Sequence, residues 1–114
     1  MSGDVLAAIE YAVRGLSRRA DVRAHNVANV NTPGFRAGRV DFESNLRAAL
    51  ASGSPERAAA PAVRPDPSLP NPSGSTVDLE NEIVGMMKDN LLRDAMVNSY
   101  NAKVGMLRAA IGGR

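Results

Sequence analysis

Cysteine and tryptophan are missing from this chain of 114 residues, and its only aromatic rings besides one histidine are Tyr11, Phe35, Phe42 and Tyr100. Without cysteine there is no disulfide and no thiolate chemistry, and the redox compartment leaves no trace. With so few rings, and with alanine supplying much of the 44% apolar fraction, a thick single-chain core is not encoded, because alanine favours helix but buries little area. No run approaches the roughly 18 apolar residues of a membrane span. The start, Met1-Ser2-Gly3-Asp4, lacks a basic region followed by an apolar run, so no cleavable signal is expected. A net charge of +2 is too small to indicate nucleic acid by itself.

Candidate chemistry is equally thin. His25 is the only histidine, and its nearest carboxylate in sequence, Asp21, lies one helical turn away. One histidine and one aspartate do not make a zinc site, so His25 reads as a surface or interface residue. The acidic group Asp78, Glu80 and Glu82 lacks the glycine and distal glutamate of a calcium loop and suits a helix start. There is no phosphate-cradling glycine loop and no nucleophile elbow. Neither enzyme nor cofactor is expected.

What the chain does have is helical periodicity at both ends. Over residues 4 to 31, Leu6, Val13, Ala20 and Val27 stand seven apart, as do Ile9, Leu16, Arg23 and Val30. The alternating steps of three and four predict a helix that packs along its length, with Arg23 its one polar member. Thr32 before Pro33 ends it, and Pro33-Gly34 suits the central positions of a type II turn. Asn29 and Asn31 are expected to satisfy loose backbone groups near this end, and Phe35 is placed only if the turn folds back onto an apolar surface. Between 35 and 50 the pattern allows a short extended piece, then a helical turn or two from Asp41.

From 51 to 75 the composition changes, with six of the seven prolines among Ala, Ser and Gly, so a flexible connector is expected. A second helix is predicted from about 76 to 111, stopped by Gly112-Gly113. Its seam is Leu79, Ile83, Met86, Val97, Tyr100, Val104, Leu107 and Ile111. Residues 1–50 and 76–114 together are expected to form one discontinuous all-α domain, the terminal helices pairing as a coiled-coil-like hairpin. Each helix also carries apolar side chains off its seam, Val5 and Val22 on one, Val84, Met87, Leu91 and Met96 on the other. Two helices cannot enclose stripes that wide, which predicts partner subunits.

The stretch Ala28-Asn29-Val30-Asn31-Thr32-Pro33-Gly34-Phe35, with Asn26 before it and Val40-Asp41-Phe42-Glu43 after it, resembles the N-terminal signature of bacterial flagellar basal-body rod and hook proteins. The Val77-Asp78-Leu79-Glu80 entry to the second helix and the Met106-to-Ile111 ending resemble the smallest, most proximal rod members. Where that family tends to place an aromatic in the second helix, this chain has Asp94. The resemblance implies a structural subunit that stacks through its terminal helices and transmits torque. It implies as partners the chain itself, other rod proteins, the adaptor between rod and membrane ring, and the flagellar type III export apparatus. A competing expectation is a basic helical module binding nucleic acid or an anionic membrane through Arg14, Arg18, Arg19 and Arg23.

Overall fold

The computed structural model describes residues 2–112, so Gly113 of the expected glycine stop lies outside the described residues. Three helices and a short β-ribbon follow in the order α1 (Ser2–Ala28), β1 (Gly38–Val40), α2 (Glu43–Ala51), β2 (Val63–Pro65) and α3 (Leu79–Gly112), with a single 3-10 turn at Pro55–Arg57. α1 and α3 lie antiparallel, since contacts run from Arg23–Glu82 near one end to Glu10–Tyr100 toward the other. The particle is elongated, 64 × 26 × 14 Å.

The boundaries follow local chemistry. α3 starts where the Asp78 carboxylate accepts a hydrogen bond from the Asn81 amide at 3.1 Å, capping a loose donor of the first turn. Asp41 does the same before α2, accepting from the Ser44 amide and hydroxyl. Those Ser44 bonds hold the Asp41 carboxyl below its usual value near 3.8. α1 ends at Ala28, short of the expected 31, in three-residue turns (Asn29 to Asn26, Val30 to Val27, Thr32 to Asn29). The foreseen type II turn follows: the Phe35 amide donates to the Thr32 carbonyl at 3.1 Å and Gly34 takes a φ of +78°.

An all-α architecture is corrected by the ribbon. β1 and β2 pair antiparallel with Arg39 opposite Arg64. Three-residue strands are too short to announce themselves by alternation, and this pair is held from outside. The Asn26 side chain donates to the Gly38 carbonyl at 2.9 Å and accepts from the Gly38 amide at 3.0 Å, serving as a lateral partner for the strand.

The connector runs along α1. Tyr11 donates its hydroxyl proton to the Ala59 carbonyl at 2.5 Å, and Pro55 is buried. Asn71 organises the return to α3, donating to the Val30 and Val77 carbonyls and accepting from the Ser73 and Ser75 amides. In a connector whose only sizeable apolar residues are Val63 and Leu69, backbone polar groups are held by such bonds rather than by apolar anchoring.

The core itself is small: Tyr11, Ala12, Leu16, Val40 and Phe42, with Val22, Leu46, Ala58 and Met96 at its margin. It sits between α1 and the β1–α2 segment, with α3 reaching it only through Met96. Phe42 lies on the α1 backbone at Gly15, where an added Cβ would fall on its ring. Burying that ring contributes on the order of 2–3 kcal/mol.

Candidate functional site: a charged clasp and an uncovered helix face

Two features of the hairpin bear on function. The first lies where α1, β1, α2 and the start of α3 converge. Arg19 donates two parallel bonds to Glu43, both 3.0 Å, and two more to Asp89, at 3.0 and 3.1 Å. It also donates to the Val40 carbonyl and stands 4.8 Å over the Phe42 ring. Arg23 donates to Asp89 and to Glu82, each at 2.9 Å. Asn26, only 1% exposed, adds a 2.6 Å bond to the second Glu82 oxygen.

Spacing explains the convergence. Positions 19, 23 and 26 recur at four and three residues, so they share a face of α1, and positions 82 and 89 are seven apart on α3. Glu82 and Asp89 are both under a tenth exposed, so each charge depends on its partners. Burial works against the charge of Arg19, yet the hydrogen bonds it donates to Glu43 and Asp89, with the attraction of their charges, outweigh it and hold its pKa above the ordinary value. No buried side-chain nitrogen or oxygen among the described residues lacks a hydrogen-bond partner.

Gly85 completes the clasp. A Cβ there would occupy the Arg23 guanidinium, so the arginine head lies directly on the α3 backbone. Glycine costs about 1 kcal/mol relative to alanine inside a helix, and this contact accounts for its place.

The second feature is what α3 leaves open. Ile83, Val84, Met87 and Leu91 are 44–72% exposed on the helix face away from α1. Toward the far end Met106, Leu107 and Ile111 are exposed as well. Of the predicted seam, Ile9 and Leu16 are buried, while Leu6, Val13, Val27, Val30, Met86, Tyr100 and Val104 are half-buried. Leu79, Ile83, Val97, Leu107 and Ile111 are exposed. The seam of α3 is therefore mostly uncovered within one chain. On either side of the α1–α3 contact run grooves, one lined by Ile9, Val13, Val97 and Tyr100, the other by Val5, Ala8, Leu46, Leu50 and Met96.

The turn motif is docked rather than free. Gly34 donates to the Gly74 carbonyl, Thr76 to the Phe35 carbonyl, and the Ala37 amide to the Thr76 hydroxyl at 2.7 Å. Asn29 donates to the His25 carbonyl and accepts from Thr32. Asn31 instead accepts from the Ser73 hydroxyl, a side-chain partner rather than backbone. Phe35 is half-buried edge-to-face against His25, ring centroids 5.5 Å apart, and Pro33 is exposed.

No family model matches the chain. It is 30% identical over 118 residues to the flagellar basal body rod protein FlgB of Aeromonas hydrophila, an alignment covering 90% of this chain and 89% of that protein. The chain belongs to the FlgB family. FlgB of Escherichia coli K12 is 26% identical over 131 residues, covering 94% of this chain and 95% of that protein. FlgB of Yersinia enterocolitica is 27% identical over 95 residues, 66% and 69% of the two chains.

FlgB membership places the chain at the flagellar basal body and makes it a structural protein rather than an enzyme. The geometry also corrects the four-arginine patch. Arg19 and Arg23 are consumed by the clasp, so of the four only Arg14, over the Tyr11 ring at 5.7 Å, and Arg18 stay exposed, and the four do not form one free basic stripe. The carboxylates of the clasp were the residues that sequence reasoning missed. Glu82 read as a helix-start charge, and Asp89 drew no attention. The signal was there in Arg23, a charge in an apolar seam that needs a buried partner of opposite sign.

Proposed function

We propose that this chain is a structural subunit of the proximal rod of the flagellar basal body, joining itself and other rod proteins through its terminal helices. Residues 1–50 and 76–114 act as one discontinuous unit, and the α1–α3 pair is the coiled-coil-like element that carries torque between subunits. The adaptor between rod and membrane ring and the type III export apparatus are its further partners.

The observation that carries the reading is the outward face of α3. Ile83, Val84, Met87 and Leu91 form an apolar stripe over about two turns, and a helix is stable in water with such a stripe only at a cost that a partner removes. Methionine in the stripe suits contact with unlike neighbours, because its unbranched side chain adapts.

The test is co-assembly. Met87→Asp with Leu91→Asp leaves the clasp and the core untouched, so circular dichroism should match the parent. Mixed with other rod proteins, the parent should form large species in sedimentation and the variant should remain small. A variant that enters the assembly as well as the parent does would remove the stripe as the assembling surface.

A further inference from the structure

We propose that the clasp of Arg19, Arg23 and Asn26 on α1 with Glu82, Gly85 and Asp89 on α3 is a register key, selecting one axial alignment of the two helices that their apolar contacts do not select. It thereby fixes where the uncovered face of α3 stands relative to α1.

Apolar contacts between these helices are permissive. The side chains that meet toward the open end are of middling size. The slide that carries Glu82 past α1 brings Val104 and Leu107 in place of Val97 and Tyr100, one apolar contact for another, whereas the opposite slide brings Asn90 and Arg93. The clasp makes each slide costly. Asp89 now faces Arg19, and Glu82 faces Asn26. Sliding α3 one repeat in one direction sets Met96 against Arg19 and carries Glu82 past the end of α1. The opposite slide leaves Glu82 facing Arg19 and Asp78 facing Arg23, but it sets Asp89 against Ala12, in the core. A slide of four residues brings Arg93 against Arg19, like against like.

The notch acts in the same sense. The Arg23 head fits only over a residue without a Cβ, and one-repeat slides put Leu92 or Asp78 in that place. A buried charge stripped of its partner disfavours a slipped state by more than about a hundredfold. Polar groups buried at a single level of a helical pair are known to set alignment at little gain in stability.

The absence of cysteine allows clean labelling. Ala24→Cys and Asn98→Cys, both exposed positions outside the clasp, carry spin labels in the full-length chain, and pulsed electron paramagnetic resonance gives their distance distribution. The parent should show one population. Replacing the charges together, with Arg19→Met, Arg23→Met, Glu82→Leu and Asp89→Leu, should keep the helical circular dichroism. It should split the distances into populations about 10 Å apart along the axis, the rise of seven helical residues. A merely stabilising role would change the melting temperature and leave one distance.

A single unchanged population in the fourfold variant overturns the proposal, as does a parent without a defined distance. If the fourfold variant loses its helices, Gly85→Ala decides. It keeps every charge and fills the notch, and should take at least half of the parent population elsewhere. An unchanged distribution in that variant overturns the proposal.

Discussion

The two ends of the hairpin are built on different chemistry. Near Arg23 the helices are joined by ionised groups, each held by two or more partners at 2.6–3.1 Å and largely removed from water. Near Tyr100 they meet through Ile9, Val13 and Val97, with open grooves beside them and a single long hydrogen bond between helices. Close-packed charge tolerates almost no displacement, since each ångström lost exposes a desolvated ion. Partly exposed aliphatic contact tolerates a good deal. One end defines the chain's own geometry, and the other is left incomplete, as a subunit whose helices are covered by neighbours requires.

That contrast is open to direct attack. Asp89→Ala strips both Arg19 and Arg23 of a shared acceptor while leaving them in place, and should cost about 3–5 kcal/mol in urea unfolding. Val97→Ala at the open end removes a side chain already 40% exposed, and should cost less than about 1 kcal/mol. Equal losses would mean that the clasp is solvated and that the two ends are alike.

The glycines of α3 sharpen the same comparison with a change of sign. Gly105 has open space around its Cβ position, so Gly105→Ala should stabilise the helix by roughly 0.5–1 kcal/mol. Gly85→Ala gains the same propensity but expels the Arg23 head, and should be destabilising by about 1–3 kcal/mol through the carboxylates it leaves short of donors. A thermal melt of the two variants side by side reads the difference without any correction for helix propensity.

Legibility in the sequence followed the same division. The long helices and their apolar seams were readable because seven-residue spacing is a local property that survives without knowledge of tertiary contacts. The type II turn was readable because the Pro33 ring fixes its own φ and Gly34 tolerates the positive φ the next position needs. Between 35 and 50 the pattern only allowed a short extended piece and a helical turn or two from Asp41, where the chain forms β1 and α2. The ribbon was not, because Gly38–Val40 is a strand only by virtue of Asn26 and Val63–Pro65, distant in the chain. The course of the connector depends on Asn71 and Tyr11, whose partners lie up to 48 residues away. Arg19 and Arg23 misled for the converse reason: charge read along a helix suggests an external partner, and only the fold supplies Glu82 and Asp89. The partial filling of the seam on α3 was hidden too, since periodicity tells which residues share a face but not which faces one chain can cover.

The smallest expected effect lies at the open end. The Tyr100 hydroxyl reaches Glu10 Oε1 at 3.4 Å in an exposed position, at the outer limit of hydrogen-bond geometry and in competition with water. Tyr100→Phe should therefore change unfolding free energy by less than about 0.5 kcal/mol, a shift of only a few degrees in the melt. The ring is another matter, for it lines the groove with Ile9 and Val13. Tyr100→Ala should cost more than Tyr100→Phe by about 1 kcal/mol, the value of the apolar area it uncovers. If Tyr100→Phe costs as much as Tyr100→Ala, the hydroxyl bond closes the open end in the free chain. The hairpin would then be fastened at both ends, and a neighbour seeking the groove beside Val97 would first have to break that bond.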